Sequence, residues 1–86
     1  MSGNHASGVD IEDIRALIAE ELELGVEEVT DDADLASDLE VDSLSAMEIA
    51  VLLEKKYRIK ISEEEIKSLT SLPVIHKLVS AKVGAA

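Results

Sequence analysis

The 86-residue chain contains no cysteine, tryptophan or phenylalanine. The missing cysteine excludes a disulfide scaffold, a thiolate zinc centre and a thiol nucleophile. Tyr57 is the one aromatic residue, and 19 acids against 8 bases give a formal charge of −11. Such a chain repels phosphate backbones and offers no stacking platform for bases, which excludes nucleic acid as a partner. No stretch approaches the ~18 apolar residues of a membrane span, and Met1 to Gly8 lack the basic-plus-apolar pattern of a signal peptide. The expectation is therefore a cytoplasmic protein with no membrane partner. Asn4 is followed by His5 and Ala6 and so is no glycosylation acceptor. Bases are scarcest in the first part of the chain: residues 1–54 hold one base and 16 acids, residues 55–86 seven bases and three acids. An N-terminal part so acidic predicts docking by basic partners.

What is present is apolar sequence in helical register. Hydrophobic residues make up 47% of the chain, too many for a disordered polyelectrolyte, and the length suits one domain. Residues 1–9 are expected to form a flexible tail, 10–82 the folded unit and 83–86 a frayed end. Ile11, Ile14, Ile18 and Leu22 recur at three- and four-residue steps, with Asp10 as N-cap, Glu12 and Asp13 in the first turn and Gly25 as the stop. From Val26 to Asp42 the periodicity breaks into a long loop anchored by Val29, Leu35 and Leu39, with a short turn inside it. A second helix runs from Ser43 to about Tyr57. Arg58 to Ile61 alternates briefly like a strand, and Ser62 to Glu65 has capping-box spacing for a short helix. A last helix begins near Ser71, with Pro73 in its first turn and Leu72, Ile75, Leu78 and Val79 facing inward. The fold class is all-α: a small antiparallel bundle with three main helices and one short one.

The second helix carries the functional information. At about 100° per residue, Ala46, Ile49, Ala50, Leu53 and Tyr57 fall on one side, which is the core side. Leu44, Met47 and Val51 form a second apolar stripe almost opposite, beside Glu48, Glu54 and Lys55. A helix in so small a bundle cannot bury both faces, so an exposed apolar strip rimmed by acids is a partner site unless the long loop covers it. Ser43 stands at the start of this helix, after Asp42. Ser and Asp are both favoured N-caps, but a helix N-terminus also welcomes a phosphate through its free N–H groups and its dipole. The two histidines, His5 and His76, form no triad with Ser43, so Ser43 is not a self-activated nucleophile and no catalytic residue is expected. His76 reads as a boundary residue.

The run Asp38-Leu39-Glu40-Val41-Asp42-Ser43-Leu44 resembles the prosthetic-group attachment motif of acyl carrier proteins. Leu24-Gly25-Val26, Val29-Thr30, Leu35, the helix Leu44 to Tyr57 and Leu69-Thr70-Ser71-Leu72 extend the likeness over roughly residues 10–82. The resemblance implies that a phosphopantetheinyl transferase moves 4′-phosphopantetheine from coenzyme A onto Ser43. Acyl groups of fatty acid or polyketide biosynthesis would then ride as thioesters on the arm. It also implies a recognition surface of Asp38, Asp42, Leu44, Met47, Glu48, Val51 and Glu54 for basic patches on the transferase and on chain-elongating synthase enzymes. The protein would be a monomeric carrier without enzyme activity and without a bound metal. Glu40 stands where many members have Gly, and Lys55 and Lys56 stand where acids are common.

Two readings compete. A peptidyl or D-alanyl carrier is disfavoured because Glu40-Val41-Asp42, not a Gly-Gly-x context, precedes Ser43. An unmodified acidic helical adaptor would use Ser43 only as a cap. A calcium loop starting at Asp32 fails: Ala36 replaces an oxygen ligand, Ser37 the turn glycine and Ser43 the bidentate Glu.

Overall fold

The structure is a computed structural model and describes residues 9–85. Helix α1 spans Ile11–Leu22, α2 Ser43–Tyr57, α3 Glu63–Lys67 and α4 Leu72–Ala85, with a 3-10 turn at Val26–Glu28 after α1. The described residues contain no strand. The Arg58–Ile61 segment alternates because Ile59 and Ile61 turn toward the core while Arg58 and Lys60 face water, and it serves as a connector. Helix α1 packs on α2 and α4, and α2 packs on α3 and α4. Their shared core is aliphatic: Ile14, Ile18, Ile49, Leu53, Leu72, Ile75, Val29 and Val79 are the largest fully buried side chains.

Each helix start follows the expected chemistry. Asp10 caps α1 by accepting from Glu12 N–H at 2.9 Å. Ser62 and Glu65 form the reciprocal capping box of α3, at 2.8 and 3.1 Å. The stops differ from expectation. Helix α1 ends not at Gly25 but at Glu23, whose φ of 59° is left-handed and whose N–H reaches back to Ala19 and Glu20. Arg58 does the same for α2 at φ 56°. Gly25 has an ordinary φ of −77° and starts the 3-10 turn instead.

Ordered packing reaches to either side of residues 10–82. Val9, placed in the tail by sequence, is buried, and its carbonyl lies 3.0 Å from Nε2 of His76. A carbonyl only accepts, so His76 holds its proton on Nε2 and ties the residue before the α1 cap to α4. Residues 1–8 of the expected tail lie outside the described residues. At the other end α4 runs through Val83 to Ala85, because Val83 still packs against the core.

Arg15, the one base among the first 54 residues, fixes the long loop. Its Nη1 donates to the Val29 carbonyl, and its Nη2 donates to Asp31 at 2.8 Å. Glu12 holds the same guanidinium from within α1, at 2.8 and 3.0 Å. Arg15→Met keeps the stem but removes these charge-assisted bonds, so stability should fall by about 1–3 kcal/mol, read by urea denaturation. An unchanged midpoint would show that the loop holds its path without Arg15.

Candidate functional site

Ser43 is the first residue of α2, and its surroundings are built by three segments. The loop arrives through Leu35, whose N–H donates to the Thr70 carbonyl at 3.0 Å, and Val41, whose N–H donates to the Leu35 carbonyl at 2.8 Å. The first bond ties the loop to the α3–α4 junction, and the second closes the loop on itself. Leu35 and Val41 are buried as they pass, and Leu39 packs against the core beside them. Between the loop, the start of α2 and α3 lies an open groove of about 560 Å³. Its lining includes Leu35, Val41, Ala46, Ile66 and Leu69, and Ser43 stands on it.

The cap of α2 is Asp42, not Ser43. Its carboxylate accepts from Ser45 N–H at 2.8 Å, and this bond holds the Asp42 carboxyl below the usual carboxylate range. Ser43 is thereby exposed and free of any capping duty. The adaptor reading, in which Ser43 serves only as the cap, loses its basis. The residue two before Asp42, Glu40, has a φ of 56°, a left-handed conformation that favours glycine. Glu40→Gly should raise stability by up to about 1 kcal/mol, measured by denaturation, because relief of the Cβ strain exceeds the added unfolded-state freedom.

The apolar stripe of α2 is uncovered, with Leu44 64%, Met47 48% and Val51 40% exposed, while Ile49, Ala50 and Leu53 on the opposite face are buried. The loop does not cover the stripe. The acids assigned to the same surface are not equivalent. Asp38 accepts from Asp34 N–H at 2.8 Å and so holds the loop. Glu54 is half-buried and accepts from Ile61 N–H at 2.8 Å, fastening the connector to α3. Glu48 is exposed and faces α1: hydrogen bonding to Glu48, with desolvation and repulsion from Glu48, Glu20 and Glu23, pushes the Glu21 carboxyl up. Lys55 and Lys56 also face α1, in a second groove of about 690 Å³ with Asp13, Glu20 and Glu21. They lie in the last turn of α2, where cations complement the helix dipole.

These shifts set a pH profile. Asp42 and Glu65 are depressed, Glu65 by the Ser62 N–H and by Lys82 at 3.0 Å. Their contributions are complete above their unfolded values and vanish as pH falls through the folded ones. Glu21 is raised, so its protonation relieves repulsion first. Thermal midpoints should rise slightly from pH 7 toward about pH 5 and fall below about pH 4. A midpoint that falls steadily from pH 7 downward would contradict the Glu21–Glu48 contact.

Local sequence pattern gives no site role to Arg15, Glu63, Lys67 or Thr70, which the fold brings to the loop and the groove. The lone base in an acidic half was a signal for Arg15, whereas the groove wall on α3 depends on tertiary packing that no local pattern records. Among the described residues no helix is long and apolar enough to cross a membrane.

Comparison with known proteins agrees with this geometry. A family model described as "Phosphopantetheine attachment site" matches residues 12–79. The chain is 49% identical over 78 residues to "Polyketide-8 synthase acyl carrier protein 2" of Streptomyces avermitilis, covering 91% of this chain and 90% of that one. It is 31% identical over 75 residues to an acyl carrier protein of Thermosynechococcus vestitus, covering 87% and 93% of the two chains. An acyl carrier protein of Helicobacter pylori is 35% identical over 68 residues, covering 79% and 87%. With an uncovered serine at the head of α2, an apolar groove beside it and likeness running almost end to end, the chain belongs to the phosphopantetheine-attachment family of acyl carrier proteins.

Proposed function

We propose that the Ser43 hydroxyl is the attachment point of 4′-phosphopantetheine and that the loaded protein carries acyl chains in polyketide biosynthesis. As a member of its family the chain is a carrier in fatty acid or polyketide biosynthesis, not an enzyme, and works through synthases and modifying enzymes. The narrower choice of polyketide is supported by the higher identity to a polyketide synthase carrier than to the two other relatives.

The observation that carries the assignment is the position of Ser43: first in α2, exposed, and relieved of capping by Asp42. Its Oγ can approach a phosphorus without giving up a bond that holds the helix. A transferase removes the hydroxyl proton; the new Oγ–P bond replaces the diphosphate linkage of coenzyme A, and the adenosine bisphosphate departs. Once attached, the arm supplies the thiol that the cysteine-free chain lacks. The groove gives the arm an apolar wall beside its origin.

Leu44, Met47 and Val51, with Glu48 beside them, form the surface on which the transferase and elongating enzymes dock through apolar contacts and basic patches. Asp38 and Asp42, exposed beside the start of α2, and the half-buried Glu54 complete that surface, each with a carboxylate oxygen bonded to a backbone N–H. A net charge of −11 makes copies repel, which supports a monomer. Incubation with coenzyme A and a broad-specificity transferase tests the reading: the protein should gain the mass of one arm. Transfer from malonyl-coenzyme A by an acyltransferase, with no loading by aminoacyl-activating enzymes, then separates an acyl carrier from a peptidyl one.

A further inference from the structure

Three charged side chains line the groove beside Ser43: Asp42, Glu63 and Lys67. Asp42 is engaged by Ser45 N–H. Lys67 ends α3, is exposed, and forms no ion pair among the described residues, although Glu63 stands one turn earlier on the same helix. Among the described residues it is the only cation on the groove wall. The chain leading to Ser43 brings negative charge on Asp38, Glu40 and Asp42. A phosphodiester on Ser43 adds another anion to this setting; the N-terminus of α2 compensates it from behind, and Lys67 is the cation that shares the groove lining with it.

We propose that Lys67 is a positioning residue for the phosphodiester at Ser43: its ammonium draws the anion toward α3, away from the acids that precede α2. The consequence is directional. An arm anchored toward α3 starts along the apolar wall of Val41, Ala46 and Leu69, whereas an arm repelled by the acids alone starts toward solvent. An ammonium suits this task because it is a compact point charge on a long stem, able to follow a mobile anion. The pair is exposed and is therefore weakened by salt, whose screening length is about 8 Å at physiological ionic strength. This inference rests on attachment at Ser43.

The test uses the full chain, loaded from coenzyme A by a transferase and checked by intact mass, with 31P spectra of the phosphodiester as readout. At low salt, the resonance of the loaded wild type should differ from that of the same loaded chain in urea. Lys67→Gln should move it at least halfway to the urea value, and Lys67→Arg should hold it near wild type. Lys77→Gln on α4, exposed and away from the groove, should leave it in place. Salt at about 0.5 M should reproduce the Lys67→Gln shift in the wild type. Loading with superimposable wild-type and Lys67→Gln spectra overturns this inference alone. Failure to load overturns the attachment and this inference together.

Discussion

Ser43→Ala should gain no mass from coenzyme A and transferase, while Ser37→Ala and Ser45→Ala load as the wild type does. The expected loss is complete, since no neighbouring hydroxyl occupies the first position of α2. The variant should also fold normally. Asp42 caps the helix through Ser45 N–H, and exposed substitutions away from a cap usually change stability by less than about 0.5 kcal/mol. An unchanged far-ultraviolet spectrum and melting midpoint, together with blocked loading, separate a chemical role for the hydroxyl from a structural one. Were Ser43 the cap, the same change would cost stability, and that outcome would count against the assignment of Asp42.

The second large effect concerns the two faces of α2. Leu53→Ala should cost about 2–5 kcal/mol, because a fully buried leucine leaves both lost transfer energy and a cavity. In a domain of this size that is a large fraction of total stability, and the melting midpoint should fall by at least ~10 °C. Met47→Ala, on the uncovered stripe, should change the midpoint by little more than the error of the measurement. The contrast tests the division of labour that the proposed docking requires: one face holds the bundle together and the other stays uncovered. Equal costs at the two positions would mean that the stripe is covered after all.

Much of this arrangement was legible in the sequence because it is local. The spacing of Ile11, Ile14 and Ile18, the two apolar stripes of α2 and the Ser62–Glu65 capping box each follow from helix geometry within a few residues, and each appears in the structure as expected. The anchors Val29 and Leu35 were equally readable, as isolated apolar residues in an acidic loop. Helix ends were not. Glu23 and Arg58 adopt the left-handed conformation that usually announces itself as glycine, so Gly25 drew attention to the wrong position. Val9 was hidden by its small polar neighbours, and its burial comes from a contact with α4 across most of the chain length.

At the candidate site, the place of Ser43 at the head of α2 and the exposure of the apolar stripe were readable, but the work of the acids was not. Nothing in the spacing of Asp38 or Glu54 reveals that each is bonded to a backbone N–H, because those partners, Asp34 and Ile61, meet them only once the loop and connector are folded. Arg15 makes the same point with opposite charge. As the lone base in its half of the chain it marked itself by composition, yet its partners Val29 and Asp31 are brought to it by the fold.

The central claim is that the hydroxyl at the head of α2 bears the arm, and fragmentation of the loaded wild-type protein in a mass spectrometer reads it directly. The account predicts that the added mass stays with every fragment containing Ser43 and is absent from fragments that end at Asp42 or begin at Leu44. An added mass found on Ser37 or Ser45, or a chain that stays unmodified under conditions that load a known carrier, would contradict it.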